Sequence, residues 1–271
     1  MRLLIRFSKR DNLKYISHLD LQGIFIHAFN RTSFKLKYSK GFNPHPKIIF
    51  AMPLSLGFIS DAEYLESTVF DISNKNFSSE IIDLRKIEID KKTDTDFLLT
   101  FRKELEKFLP AGIKILYIKK IESSKNNIAS LPYSSEYKIL IKNDNSFNII
   151  KKFNEFISDE NLEIRKTIKK TDREKIIPII KNIIYINIDE AVASDLFLFD
   201  YADAAYRFNE NKNIFFTINA NLLSTPTGNL NPKDLLNLFM TKHNIELDYE
   251  ILRTNIYAKI KGNIIRFDKL F

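Results

Sequence analysis

The residues best suited to chemistry lie near the start of the chain. His18 stands in the run SHLD, one residue after Ser17 and two before Asp20. An imidazole beside a carboxylate can act as a general acid/base pair, and the same spot could hold a phosphate at a helix N-terminus. The plainer reading is a helix cap, in which Ser17 and Asp20 satisfy free N–H groups of the first turn, and it explains Asp20 better than catalysis does. His45 sits between two prolines in YSKGFNPHPK, residues 38–47. The prolines fix φ around it and Gly41 permits a tight turn. This loop presents a ring (Phe42), an amide (Asn43), an imidazole and the ammonium groups of Lys40 and Lys47. Stacking and charge acting together suit a phosphate-bearing or single-stranded nucleic-acid ligand. The bland alternative is a loop whose prolines only limit conformation.

The candidate catalytic residues are therefore His18, Asp20 and His45. The candidate nucleic-acid-binding residues are Arg31, Lys35, Lys37, Lys40, Phe42, Asn43, His45 and Lys47. No metal site is expected. His18 and His27 are nine residues apart and share no helix face, so zinc would need the His45 loop to fold back over the helix.

Charge points to the same region. The first 47 residues hold ten Lys and Arg against Asp11 and Asp20, a net +8 equal to the formal charge of all 271 residues. If the chain meets a polyanion, it should do so here.

The elements that position these groups read as follows. RLLIRFS (2–8) is a strand. Leu21, Ile24, Phe25, Ala28 and Phe29 recur at helical spacing. Phe34, Leu36 and Tyr38 alternate with Lys35, Lys37 and Ser39, as in a half-buried strand with a basic outer face. IIFAMPLSL and AEYLESTVF are extended, residues 95–109 are an amphipathic helix ended by Pro110 and Gly112, and GIKILYIKKI is a strand. The order β-α-β-β-β-α-β approximates a split β-α-β plan with one extra strand. Residues 122–134 have linker composition, LEIRKTIKK (162–170) reads as a strand with basic residues, and the charged run RKTIKKTDREK (165–175) that overlaps it reads as a solvated loop. A second round of strands and helices follows. The expected fold is α+β, two tandem ferredoxin-like domains with antiparallel sheets, covering 1–122, with the basic face, and 134–271. Residues 72–94 and 189–212 read ambiguously.

The absence of cysteine excludes thiol nucleophiles, disulfides and iron–sulfur ligation by this chain. No cofactor is expected. No apolar run approaches the ~18 residues needed to cross a bilayer, and MRLLIRFSKR does not read as a signal peptide. The expected location is cytoplasmic, without membrane association. No phosphate-binding loop, dinucleotide fingerprint, nucleophile elbow or HExxH is present. With no complete catalytic set, the residues point away from an enzyme.

YISHLDL, YSKGFNPHPKIIFAMPLSLG and SDAEYLE resemble the N-terminal signature of the radical SAM-linked proteins, a bacterial domain family of unknown function. The resemblance continues in PAGI (110–113), RKTIKKTDREKIIPII, NPKDLL and LRTNIY. It implies a partner, a radical SAM enzyme encoded nearby, and a service role in an undefined modification. Residues 72–94 and 189–212 depart from the family pattern. The leading expectation is a non-catalytic accessory protein that binds RNA, tRNA or rRNA, through its basic N-terminal segment. The alternatives are a metal-independent RNA-processing enzyme using His18 or His45, and a protein–protein adaptor without nucleic acid.

Overall fold

Leu3, Ile5 and Phe7 line one face of the first strand, β1 (Arg2–Lys9), and all three are buried. The computed structural model describes residues 1–71, 91–121, 127–143, 148–168, 173–199, 214–225 and 228–271. Within them β1 is flanked by two antiparallel neighbours, β4 (Ile59–Asp71) and β5 (Ile113–Lys120). Leu4, on the opposite face, is also fully buried, which suits the apolar run that opens this strand. Two short strands, β2 (Phe34–Leu36) and β3 (Ile48–Phe50), pair antiparallel with successive stretches of β4. Helices α1 (His18–Arg31) and α2 (Lys91–Glu106) close the core. Leu21, Phe25, Ala28 and Phe29 of α1 and Phe101 and Leu105 of α2 pack with Leu3, Ile5, Phe7, Leu65 and Val69.

The expected extension of IIFAMPLSL stops early. Ala51 N–H still donates to the Tyr64 carbonyl at 2.9 Å, but Pro53 has no N–H with which to continue a ladder. Most of the ambiguous 72–94 stretch, residues 72–90, lies outside the described residues, as does 200–212 of the second ambiguous stretch.

The chain divides into two compact units, residues 1–56 with 60–131 and 271, and residues 57–59 with 132–270. In the second unit β6 (Pro132–Asn143) lies between β11 (Asp248–Ile260) and β10 (Ile214–Leu223), and β9 (Ile183–Glu190) pairs with β10. A short β12 (Asn263–Arg266) turns back on β11, an element the sequence reading did not anticipate. These pairings are antiparallel, so the protein is a mixed α+β fold with mostly antiparallel sheet. Phe153 and Phe156 of α3 (Ile149–Ile157) and Phe239 of α5 (Pro232–His243) form an aromatic cluster. Leu196 of α4 (Ala193–Leu198) packs with Leu140, Phe215 and Leu252.

Two expectations change. Residues 163–168 and 173–178 form a hairpin, β7 and β8; the strand expected over 162–170 is there, and it is the overlapping loop reading that gives way at Arg165 and Lys166, where Lys166 pairs with Asp234 and Arg165 with Glu163. The linker reading fails at its C-terminal end. Ile128 is fully buried in a short 3-10 turn capped by Asn127, and Pro132 already begins β6.

Two glycines give opposite predictions. A Cβ on Gly112 would stand 2.7 Å from the Arg10 carbonyl and 2.9 Å from Leu13 Cδ1. Gly112→Ala is expected to cost about 1–3 kcal/mol. Gly23, inside α1, has open space where a Cβ would go, so Gly23→Ala should stabilise by about 0.5–1 kcal/mol. Urea unfolding midpoints check both.

Candidate functional site

After β2 the chain leaves the sheet and returns to it at β3, and the excursion is residues 37–47. Lys37 N–H donates to the Thr68 carbonyl at 2.8 Å, which ties the outgoing arm to β4. The arms then bond each other. Lys47 N–H donates to the Lys37 carbonyl at 2.7 Å and Ser39 N–H to the His45 carbonyl at 2.8 Å, around a bridge between Tyr38 and Pro46. His45 N–H also donates to Ser39 Oγ at 2.9 Å. The prolines sit where these rungs need no further N–H, and Gly41 takes a φ of 132°, in the region that favours glycine. YSKGFNPHPK therefore folds as a small closed hairpin.

Strand alternation sets its faces. Lys37, Ser39, His45 and Lys47 share one face, and Tyr38 and Pro46 the other. Lys40 through His45 are all exposed, and the Phe42 ring, at 112 % relative exposure, touches no core. A single exposed ring is ordinary on a protein surface; what sets Phe42 apart is its place among lysines that form no ion pair among the described residues. Arg31, Lys37, Lys40 and Lys47 form no ion pair among the described residues. Lys35 differs. Its Nζ donates to the carbonyls of Asn30 at 2.9 Å and Thr32 at 2.8 Å, where a cation offsets the free acceptors at the end of α1. The turn into β2 is fixed from α2, since Glu104 accepts from Ser33 N–H at 2.8 Å and from its hydroxyl.

The remaining charge of the first 47 residues is largely spent inside the unit. Arg2 forks onto Glu66 at 2.6 and 2.8 Å, and Arg10 pairs with Asp61. Arg6 donates to the Asp61 carbonyl and lies over the Tyr64 ring. Lys9, 1 % exposed, donates to the Ile16 carbonyl at 3.1 Å. The net +8 is thus not one continuous basic field; its outward part is concentrated on the hairpin and Arg31.

Asp20 is engaged in the cap. Its N–H donates to Ser17 Oγ at 3.1 Å, while its carboxylate accepts from the Ser17 hydroxyl at 2.7 Å and N–H at 3.2 Å. Those bonds hold its pKa below the usual carboxylate value. Ser17→Ala is expected to cost about 1 kcal/mol of stability, read by urea unfolding.

His18 is half-buried, its ring edge-on to Phe50 at 5.1 Å. Burial lowers its pKa, the Glu63 carboxylate opposes this, and the Lys9 ammonium reinforces it. Glu63 and Lys9 are both nearly inaccessible, and the sequence reading missed them. Their one signal is position: Lys9 follows Leu3, Ile5 and Phe7 along β1, and Glu63 shares a face of β4 with Leu65 and Val69. Because the folded-state pKa is depressed, the His18 contribution to stability is present above the free imidazole value of about 6.5 and is lost as pH falls through the folded value. His18→Gln should flatten the loss of stability between neutral and mildly acidic pH. Parallel urea midpoints for variant and wild type would sink this assignment. His27 is exposed on α1, His45 is exposed on the hairpin, and no cluster of three or more metal-ligating residues occurs among the described residues.

Among the described residues no helix is long and apolar enough to cross a membrane. A family model described as "Uncharacterized protein conserved in bacteria (DUF2344)" matches residues 2–85 and 77–207. No curated protein matches the chain. Among solved structures, a chain of a Cbf5-Nop10-Gar1 complex is 10 % identical with a TM-score of 0.43, over 94 % of this chain and 48 % of that one. This chain therefore spans about half the length of that structure. An unknown protein from Galdieria sulphuraria is also 10 % identical, with a TM-score of 0.21, over 92 % of this chain and 97 % of that one.

Proposed function

This chain belongs to the family of uncharacterized proteins conserved in bacteria (DUF2344), and from that premise we propose that it is a non-catalytic RNA-binding protein. The ligand is tRNA or rRNA, held by the hairpin of residues 37–47. One observation carries the reading: a closed hairpin holds Phe42 fully in solvent between lysines that form no ion pair among the described residues. An exposed ring supplies a stacking surface, and unpaired ammonium groups supply phosphate contacts. Lys37, Lys40, Lys47 and Arg31 carry the charge, Asn43 and His45 add hydrogen-bonding groups, and Lys35 steadies the end of α1.

The scaffold in this reading is two tandem ferredoxin-like domains. Support comes from strand order. The first unit runs β5-β1-β4 with β2 and β3 on β4, and the second runs β11-β6-β10-β9. Both put the first and third strands of a split β-α-β plan at the centre, with the β7–β8 hairpin as an insertion in the second. In keeping with the resemblance of its motifs, the protein serves a radical SAM enzyme encoded nearby, to which it presents the RNA in the cytoplasm. Catalysis by His18 or His45 draws no support from the geometry. Asp20 is occupied by the cap, and the His45 side chain has no hydrogen-bond partner among the described residues.

Filter binding of tRNA and of a single-stranded RNA across a salt series tests the proposal. Affinity should fall steeply with salt; absent or salt-independent binding overturns it. Co-purification with the radical SAM enzyme after nuclease treatment would instead favour an adaptor.

A further inference from the structure

The root of the hairpin carries a charge pattern that an ordinary backbone phosphate does not match. Hydrogen-bond register sets Lys47, Lys37, Thr68 and Arg2 side by side across four segments of the chain, so their side chains leave one face. Leu36 and Ile48, the sequence neighbours of the two lysines, fill the core on the other face. Arg2 is neutralised by its fork onto Glu66. The surplus charge of the row is therefore that of two lysines in directly opposed positions, neither with an ion pair among the described residues. Like charges placed opposite each other repel, and an anion between them removes that repulsion.

The next rung adds neutral donors on the same face. Ser39 stands opposite His45, and its Oγ accepts the His45 backbone N–H at 2.9 Å. That bond fixes the oxygen and leaves the hydroxyl hydrogen free to donate outward. Thr68 supplies a second hydroxyl beside Lys37. All of these groups are within reach of a ligand: Lys47 and His45 are exposed, and Lys37, Ser39 and Thr68 are partly so. An internal phosphodiester brings a single negative charge. A terminal phosphomonoester brings about −1.5 to −2 at pH 7 and three strong acceptor oxygens. The second matches two opposed ammonium groups flanked by hydroxyls and an imidazole.

We propose that this face of the hairpin binds the terminal phosphomonoester of an RNA strand, between Lys37 and Lys47 and with an oxygen turned toward Ser39 and His45. The inference rests on the RNA reading and sharpens it: an end of the strand, not its middle, lies at the root of the hairpin, and Phe42 at the tip stacks on a base.

Fluorescence anisotropy of the full chain with one oligoribonucleotide sequence in three forms tests this. The forms carry a 5′-phosphate, a 3′-phosphate or hydroxyls at both ends, with the dye on an internal base. One phosphorylated form should bind about tenfold tighter than the hydroxyl form, the scale of one hydrogen bond between charged groups, and which form it is assigns the end. Lys37→Gln and Lys47→Gln should each bring that ratio close to one. Lys40→Gln, the same charge change at the tip, should weaken all three forms alike and keep the ratio. Urea midpoints establish that the variants are folded. Equal affinity for the three forms, or a ratio that Lys37→Gln and Lys47→Gln change no more than Lys40→Gln does, overturns the inference. Steep salt dependence shared by all three forms would then leave the RNA reading standing, whereas no binding of any form would remove both.

Discussion

Replacing Lys37, Lys40 and Lys47 with glutamine should lower affinity for single-stranded RNA by about two orders of magnitude at low salt, and should reduce the salt slope by about 2. The expectation follows from counterion release. Each ammonium that neutralises a phosphate frees a condensed cation, worth roughly 0.7 of slope on a single strand. None of the three lysines forms an ion pair among the described residues, so the triple variant should unfold at the wild-type urea midpoint. Phe42→Ala should act on another axis. It removes a stacking surface worth about 1–3 kcal/mol and leaves the salt slope unchanged. If the triple variant binds with wild-type affinity and slope, the hairpin is not the interface.

Phe25→Ala should destabilise the first unit by about 3–5 kcal/mol, the range for a large aromatic removed from a packed core. Phe25 is fully buried, with its ring centroid 4.7 Å from that of Phe7 and 5.9 Å from that of Phe50. Neither neighbour can fill the space easily, since Phe7 is held by pairing on both sides of β1 and Phe50 by its pairing with β4. Phe50 also ends the strand that receives the hairpin and supports the His18 ring. The loss should therefore appear in the urea midpoint together with weakened RNA binding. An RNA affinity that survives a loss of this size would mean that the hairpin is organised independently of the core beneath it.

The sequence was most informative where the relevant forces are local. Ser17 and Asp20 announced the α1 start because the cap spans three residues, and Leu21, Phe25, Ala28 and Phe29 announced its buried face because helical periodicity is intrinsic. Gly41, Pro44 and Pro46 marked the hairpin as a rigid loop. Distant pairing was not legible. The partners of Arg2 and Arg10 are Glu66 and Asp61, 64 and 51 residues away, so a count of basic residues overstated the outward charge. The bonds that the Tyr185 hydroxyl and Asn255 Nδ2 donate to the Glu136 carboxylate were hidden for the same reason: these partners are 49 and 119 residues away, and only strand register unites them. Lys35 read as part of a basic face because nothing local shows a side chain turning back to a helix end.

The hairpin of residues 37–47 closes before it reaches its tip. Its rungs join Lys37 to Lys47 and Ser39 to His45, and the five residues between Lys40 and Pro44 are all exposed and contribute nothing to the core. Drift at the tip is thereby uncoupled from folding. Lys40, Phe42, Asn43 and Pro44 are therefore open to exchange around Gly41, whose φ of 132° keeps glycine in place, and substitutions at those four positions should leave the thermal tolerance of the unit unchanged.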